Sequence, residues 1–252
     1  NIKEKYMRYN ELTFQGRNAV LEAFRSGKTI DKLFILDGCQ DGPIKSIVRE
    51  AKKTDAIINY VDKERLDRLA GTGHHQGVVA IGAAYEYAEV EDILAAAKEK
   101  GEDPFIFILD EIEDPHNLGA IIRTANLAGA HGVIIPKRRA VGLTATVAKT
   151  SAGAINYTPV AKVTNISQTI EELKKQGLWF VCADMGGETM YNLNLKGPIG
   201  LVIGNEGNGV SRLVKDKCDF IASIPMKGDI DSLNASVAAG VLAYEIVRQR
   251  LN

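Results

Sequence analysis

The stretch Phe105-Ile106-Phe107-Ile108-Leu109-Asp110-Glu111-Ile112, followed by Glu113-Asp114-Pro115-His116-Asn117-Leu118-Gly119-Ala120-Ile121-Ile122-Arg123-Thr124-Ala125-Asn126, decides the fold class. Five apolar residues in a row leave no polar face, so a strand over 105–112 is expected to be buried on both sides, as in a parallel sheet covered by helices. The next residues are polar for one turn and then helical, with Asn117 placed as an N-cap for a helix over 117–128. The alternation continues outward. Apolar strands are expected at 132–136, 158–163, 179–185, 198–204 and 220–226, and helices at 167–176 and 232–250. This pattern signifies an α/β domain with a mainly parallel sheet, and such sheets bind ligands beyond the carboxyl ends of their strands.

Upstream, helical stretches at 18–25, 43–53 and 63–69 alternate with apolar strands at 32–36, 57–61 and 77–83. They make a compact α/β unit over 10–84, about the smallest size that supports its own core. The polar segment Tyr85-Glu86-Tyr87-Ala88-Glu89 has no strong periodicity and places a linker at 85–91; a helix over 90–100 then leads into a second domain over 92–252. The first nine residues read as a tail.

The 252 residues are 45% hydrophobic, which excludes disorder as the main state. No apolar run approaches the roughly 20 residues that span a bilayer, so no membrane partner is expected. Cys39, Cys182 and Cys218 lie far apart without a CxxC pair, suggesting neither a disulfide framework nor a zinc site and fitting a reducing cytoplasm. The net charge is −1, but it is divided: residues 1–85 hold 14 Lys and Arg against 11 Asp and Glu, a net +3, and the remainder is −4. A slightly basic front on an acidic rear points to a division of labour.

Three motifs stand at expected strand ends. In the first, Asn117 is only a helix cap and Arg123 a surface cation on the opposite face, or Arg123, sitting among Ile121, Ile122, Thr124 and Ala125, borders an apolar layer and needs an anionic partner, carboxylate or phosphate. The second is Gly204-Asn205-Glu206-Gly207-Asn208-Gly209-Val210-Ser211. Glycines after a strand let a ligand approach backbone amides. Gly204 and Gly209 bracket four residues as in a P-loop, but Val210 stands where the lysine is required, so triphosphate cleavage is not expected. The fingerprint of a nicotinamide-binding turn is also missing. The third runs Ile224-Pro225-Met226-Lys227-Gly228-Asp229-Ile230-Asp231-Ser232-Leu233-Asn234-Ala235-Ser236, with Ser232 able to cap the last helix and Ala235, Ala238, Ala239 and Ala243 permitting close approach of another backbone. His74, His75, His116 and His131 lack metal-ligand spacing, so no metal is expected. Lys137-Arg138-Arg139 follows a strand as a solvated loop or a phosphate contact.

Together and in this order the motifs closely resemble those of the SpoU (TrmH) family of RNA ribose 2′-O-methyltransferases, within the SPOUT superfamily. Asn117 to Arg123 resembles the first family motif, Gly204 to Gly209 the second, and Ile224-Pro225-Met226 with Ser232-Leu233-Asn234-Ala235-Ser236 the third. In the front domain, Gly16-Arg17-Asn18-Ala19-Val20 and His75-Gln76-Gly77-Val78-Val79-Ala80 resemble the branch that modifies a guanosine of 23S ribosomal RNA, so that nearly the whole chain is covered. The resemblance implies a C-terminal parallel-sheet domain with a deep trefoil knot, against the usual rule, and a ribosomal-protein-like RNA-binding front domain. It also implies a homodimer. It implies S-adenosylmethionine as cofactor, held around Gly204, Asn205, Ile224, Met226 and Leu233, and catalytic or orienting roles for Arg123, Asn117, Glu206, Ser232 and Asn234. Arg17, Lys137, Arg138 and Arg139 are the candidate RNA contacts.

In the family the arginine matching Arg123 is the proposed general base. Arginine stays protonated in proteins, so a gentler role is expected here: Arg123 holds the neighbouring phosphate and polarises the 2′-oxygen, and the proton passes to phosphate, water or a carboxylate. Glu206 suits either substrate contact or a structural role, bonding amides or pairing with Arg123. Two alternatives stand beside this reading: a transfer-RNA methyltransferase of the same family, and a ribosome-assembly factor that binds RNA without methylating it.

Overall fold

The computed structural model describes residues 12–71 and 73–251. The expected tail at 1–9 lies outside the described residues. The chain divides into two compact units, the first reaching to Glu86 and taking in Gly142–Ala145, the second comprising Tyr87–Val141 and the residues from Thr146 onward.

The first unit carries β1 (Thr13–Gln15), α1 (Arg17–Arg25), β2 (Ile30–Leu36), α2 (Gly42–Ala51), β3 (Ile57–Val61), α3 (Lys63–Ala70) and β4 (Val78–Gly82). Its sheet has the order β1-β4-β2-β3, with β2 and β3 parallel and the other pairs antiparallel. Val20, Leu33, Ile35, Ile44, Ile47 and Val78 form a core between the sheet and helices α1 and α2. Asp41 and Asp62 cap α2 and α3 by accepting the amides of Ile44 and Arg65, and Gly71 ends α3 in the left-handed region.

The second unit continues with α4 (Val90–Lys100), β5 (Phe105–Asp110), α5 (Pro115–Leu127), β6 (Gly132–Pro136), α6 (Ala145–Thr150), β7 (Val160–Val163), α7 (Ile166–Lys175), β8 (Trp179–Thr189), β9 (Ile199–Gly204), α8 (Arg212–Lys215), β10 (Phe220–Ser223) and α9 (Ala235–Leu251). The sheet order is β10-β8-β9-β5-β6-β7, parallel throughout. Every residue of β5 and of β9 is buried, as two central strands between helical layers must be. Among the described residues no helix is long and apolar enough to cross a membrane.

Four expectations are corrected. Helix α5 starts at Pro115, and its cap is Asp114, whose side chain accepts the His116 amide at 2.9 Å; Asn117 lies inside the helix. Proline at the first helical position has no amide to satisfy, which favours the earlier start. Helix α9 starts at Ala235, with Asn234 rather than Ser232 accepting from the amide and hydroxyl of Ser236 at 2.9 and 2.6 Å. Strand β10 stops at Ser223, short of Pro225, which cannot donate to a ladder. Strand β8, by contrast, runs past its expected end because its register with β10 shifts between Ile221 and Ala222: Cys182 pairs with Ile221 and Glu188 with Ala222, so residues 183–187 swell out of the ladder.

Candidate functional site

The site grows from the carboxyl ends of β5, β8 and β9. Gly204, the last residue of β9, pairs with Asp110 at the end of β5. A β-carbon on Gly204 would run into the backbone of Gly209 and Val210, so only glycine lets the following loop fold back so closely. Asn205 ties that loop together: its side-chain oxygen accepts the Gly207 amide at 2.8 Å, its carbonyl accepts the Gly209 amide at 2.8 Å, and its side-chain nitrogen donates to the Glu111 carbonyl at 3.0 Å. Gly209 turns back at φ +65°. The buried Asp110 carboxylate accepts the Ser211 amide at 2.7 Å.

This loop presents Glu206. Its Oε1 accepts from the side-chain nitrogen of Asn117 on α5 and, at 2.7 Å, from that of Asn234 just before α9. One carboxylate oxygen thus gathers residues 89 and 28 positions away in the chain, joining all three motifs. Asn117 is buried, so its amide protons need that acceptor.

Beside this junction lies a pocket of about 350 Å³. Gly204, Asn205, Glu206, Ile224, Met226, Ser232 and Leu233 line it, together with Ala183, Asp184, Met185, Asp231, Ala235 and Ala238. The swelling in β8 brings in Asp184, whose carboxylate bonds Lys215 and accepts the Gly186 amide at 3.0 Å. The Lys215 ammonium, and secondarily that amide, hold its carboxyl below the usual aspartate range, and Asp184 in turn raises Lys215. Sequence reasoning missed Asp184 and Met185, because an irregularity in a strand carries no periodic signal. Asp231 was within reach of it, adjacent to Ser232.

Of the two placements expected for Arg123, the structure shows the surface one. On α5 the residues Ile121, Ile122 and Ala125 face the core, and the 100° step of a helix carries Arg123 to the exposed side. Among the described residues it makes no ion pair, and Glu206 is engaged by the two asparagines instead. Arg17 is tied within the first unit: Nη2 donates to Asp41 Oδ2 at 2.5 Å and Nε to the Gln76 carbonyl at 3.2 Å. Arg139 donates to Glu111 at 3.0 Å, Arg138 is exposed, and the Lys137 backbone amide donates to the Val163 carbonyl at 2.8 Å. His75 is a buried structural group. Its Nδ1 accepts the Gly77 amide at 3.0 Å, which leaves the proton on Nε2 to donate to Asp67 at 2.9 Å. Among the described residues no group of His, Cys, Asp and Glu is arranged to hold a metal.

The profile of the SpoU rRNA methylase family matches residues 104–244, more than half of the chain. The chain belongs to the SpoU family. A second profile, the substrate-binding domain of RNA 2′-O ribose methyltransferases, matches residues 15–88. A relative from Bacillus subtilis (strain 168), whose name places it in the TrmH family of tRNA/rRNA methyltransferases, is 53% identical over 236 residues, covering 93% of this chain and 94% of its own. One from Staphylococcus haemolyticus with the same family name is 49% identical over 241 residues, covering 95% of this chain and 96% of its own. The fold is also that of a solved SpoU methyltransferase from Streptomyces viridochromogenes in complex with S-adenosylmethionine, at TM-score 0.60 and 24% identity over 95% of this chain and 90% of that one.

Proposed function

We propose that this SpoU-family chain transfers the methyl group of S-adenosylmethionine to a ribose 2′-hydroxyl of a guanosine in 23S ribosomal RNA, acting in the cytoplasm as a homodimer whose methyltransferase domain is trefoil-knotted. In this reading residues 10–84 handle RNA, 85–91 connect, and 92–252 carry the chemistry. The observation that carries it is the convergence of all three motifs on Glu206 at the rim of the strand-end pocket.

The pocket suits that cofactor. Its volume of about 350 Å³ is in the range of small-molecule sites. Ile203, Ile224 and Ala238 offer apolar surface for an adenine ring, and Asp184, Glu206 and Asp231 offer negative charge toward a cationic ligand. When bound, S-adenosylmethionine supplies a methyl group on a good leaving group, so positioning the acceptor accounts for much of the acceleration. Glu206, held by Asn117 and Asn234, keeps the rim rigid; the exposed Ser232 hydroxyl is available to the ribose; and Arg123, without an ion pair among the described residues, takes the RNA phosphate with its fork and polarises the 2′-oxygen. The displaced proton passes to phosphate, water or a carboxylate. For the homodimer, Val237 and Tyr244 stand exposed seven residues apart on one face of α9, and Leu127 is exposed on α5, which packs against α9.

The test is transfer of labelled methyl from S-adenosylmethionine to unmodified large-subunit rRNA and to bulk tRNA, with Arg123→Ala and Arg123→Lys. Label at one rRNA ribose, lost in both variants, is the expected result. Near-full activity of Arg123→Lys overturns the fork role. Label in tRNA assigns the other substrate, and cofactor binding without transfer to either RNA assigns an assembly role.

A further inference from the structure

The first unit holds a hollow of about 420 Å³ between α2 and the edge of its sheet, apart from the Arg17 and Gln76 cluster. It is lined by Lys45, Val48, Arg49 and Lys52, which follow one another at the i, i+3, i+4, i+7 spacing of a single helix face, and by Tyr60. Tyr60 lies on β3, the edge strand, and is 56% exposed. It is two residues beyond Ile58, which packs into the core beneath α2, so the alternation of a strand turns Tyr60 to the same side as that helix. The result is an exposed aromatic ring beside three cations spread over about 10 Å of helix.

The neighbouring acids are already engaged. Asp41 caps α2 and holds Arg17; Glu50 binds the Lys53 ammonium at 2.8 and 2.9 Å and lies 4.0 Å from Arg49. Among the described residues Lys45 and Lys52 form no ion pair. Stability of the fold does not call for this arrangement: a large aromatic ring left half in water contributes little to packing, and like charges on one helix face repel. A base stacked on the ring with its phosphates on the cations offsets both, and this is the chemistry by which single strands are held.

We propose that the Tyr60, Lys45, Arg49 and Lys52 face is a binding surface for unpaired RNA, one base stacking on Tyr60 and the flanking phosphates lying along α2. This rests on reading the first unit as the RNA-handling part of the enzyme, and adds to it the site and the strandedness of what is bound.

The experiment titrates the full chain with a fluorescent single-stranded RNA 12-mer of mixed sequence and with the duplex of the same sequence, over a salt series. Tyr60→Ala, Tyr60→Phe and the triple Lys45→Gln, Arg49→Gln, Lys52→Gln variant are compared with wild type, and S-adenosylmethionine binding and thermal melts serve as controls of fold. Loss of one stacked base corresponds to about 5- to 150-fold weaker binding. Tyr60→Ala is expected to show it for the single strand, Tyr60→Phe to recover most of it, and the triple variant to flatten the salt dependence by about two in slope. Wild-type binding left unchanged by every variant, or a preference for the duplex, overturns the proposal and leaves the RNA-handling role of the unit standing. No RNA binding by wild-type protein that still binds S-adenosylmethionine overturns both, and gives the face to a protein partner.

Discussion

Glu206 is an exposed residue whose value lies in what it accepts. Replacing it with alanine strands the Asn117 side-chain amide, which is buried, with a lost-partner cost of about 1–3 kcal/mol. In a chain of this size that lowers the melting temperature by several degrees, at roughly 2–4 °C per kcal/mol. Glu206→Gln keeps an oxygen of the same reach, so it is expected to restore most of the melting temperature; thermal melts of the two variants side by side check this. A glutamine variant that melts as low as the alanine one would mean that charge, rather than acceptor geometry, holds the junction. Gly204→Ala is more severe, because its β-carbon meets backbone rather than a movable side chain.

At the scale of elements, α5 sits on α6 through a glycine. A β-carbon at Gly119 would overlap the Thr150 side chain and stand 3.0 Å from the Ser151 amide nitrogen, so Gly119→Ala is expected to cost about 1–3 kcal/mol by overpacking, read as a lower urea midpoint with an unchanged slope. The swelling in β8 is held by Asp184 and Lys215. Because the Asp184 carboxyl titrates below its ordinary value of 3.8, the pair stabilises the fold fully above that pH and loses its contribution only as pH falls through the lower folded value. Both side chains remain partly exposed, so the contribution is small, about 0–1 kcal/mol. The melting difference between wild type and Asp184→Asn is expected to hold steady from pH 7 to pH 5 and to close below about pH 4; closure near pH 6 would contradict this assignment of the proton. These elements also mark what sequence could reveal. The central strands were legible because β5 and β9 are unbroken apolar runs, and the glycine loop because Gly204 needs its missing side chain. The swelling at 183–187, the short helices α6 and α8 and the true caps were not, since each depends on tertiary partners. The exposure of Arg123 could not be decided from its apolar neighbours for a related reason: neighbours in sequence are not neighbours on a helix, where each residue turns 100° from the last. The meeting of Asn117, Glu206 and Asn234 was implied by family resemblance, but its geometry, two amides on one oxygen, appears only when the chain is folded.

For the whole molecule, charge and ligand binding give the broadest tests. A cofactor that binds only the folded protein raises its stability by about 2.7 kcal/mol at a hundredfold excess over Kd, so S-adenosylmethionine is expected to raise the melting temperature and NAD to leave it unchanged. RNA affinity follows from the charge. A chain of net −1 with only +3 across residues 1–85 cannot bind RNA through a broad basic field. If Lys45 and Arg49 of α2 and Lys52 at its C-cap supply the principal phosphate contacts, three neutralised phosphates on a single strand give a slope of about −2 in the logarithm of affinity against the logarithm of salt. That is shallow, and it assigns selectivity to stacking and RNA shape rather than to charge. Binding measured from 50 to 400 mM salt decides the matter: a slope near −2 places recognition on a few contacts, whereas one steeper than about −5 requires cationic surface well beyond α2 and would return Arg138 and its neighbours to the RNA-binding face.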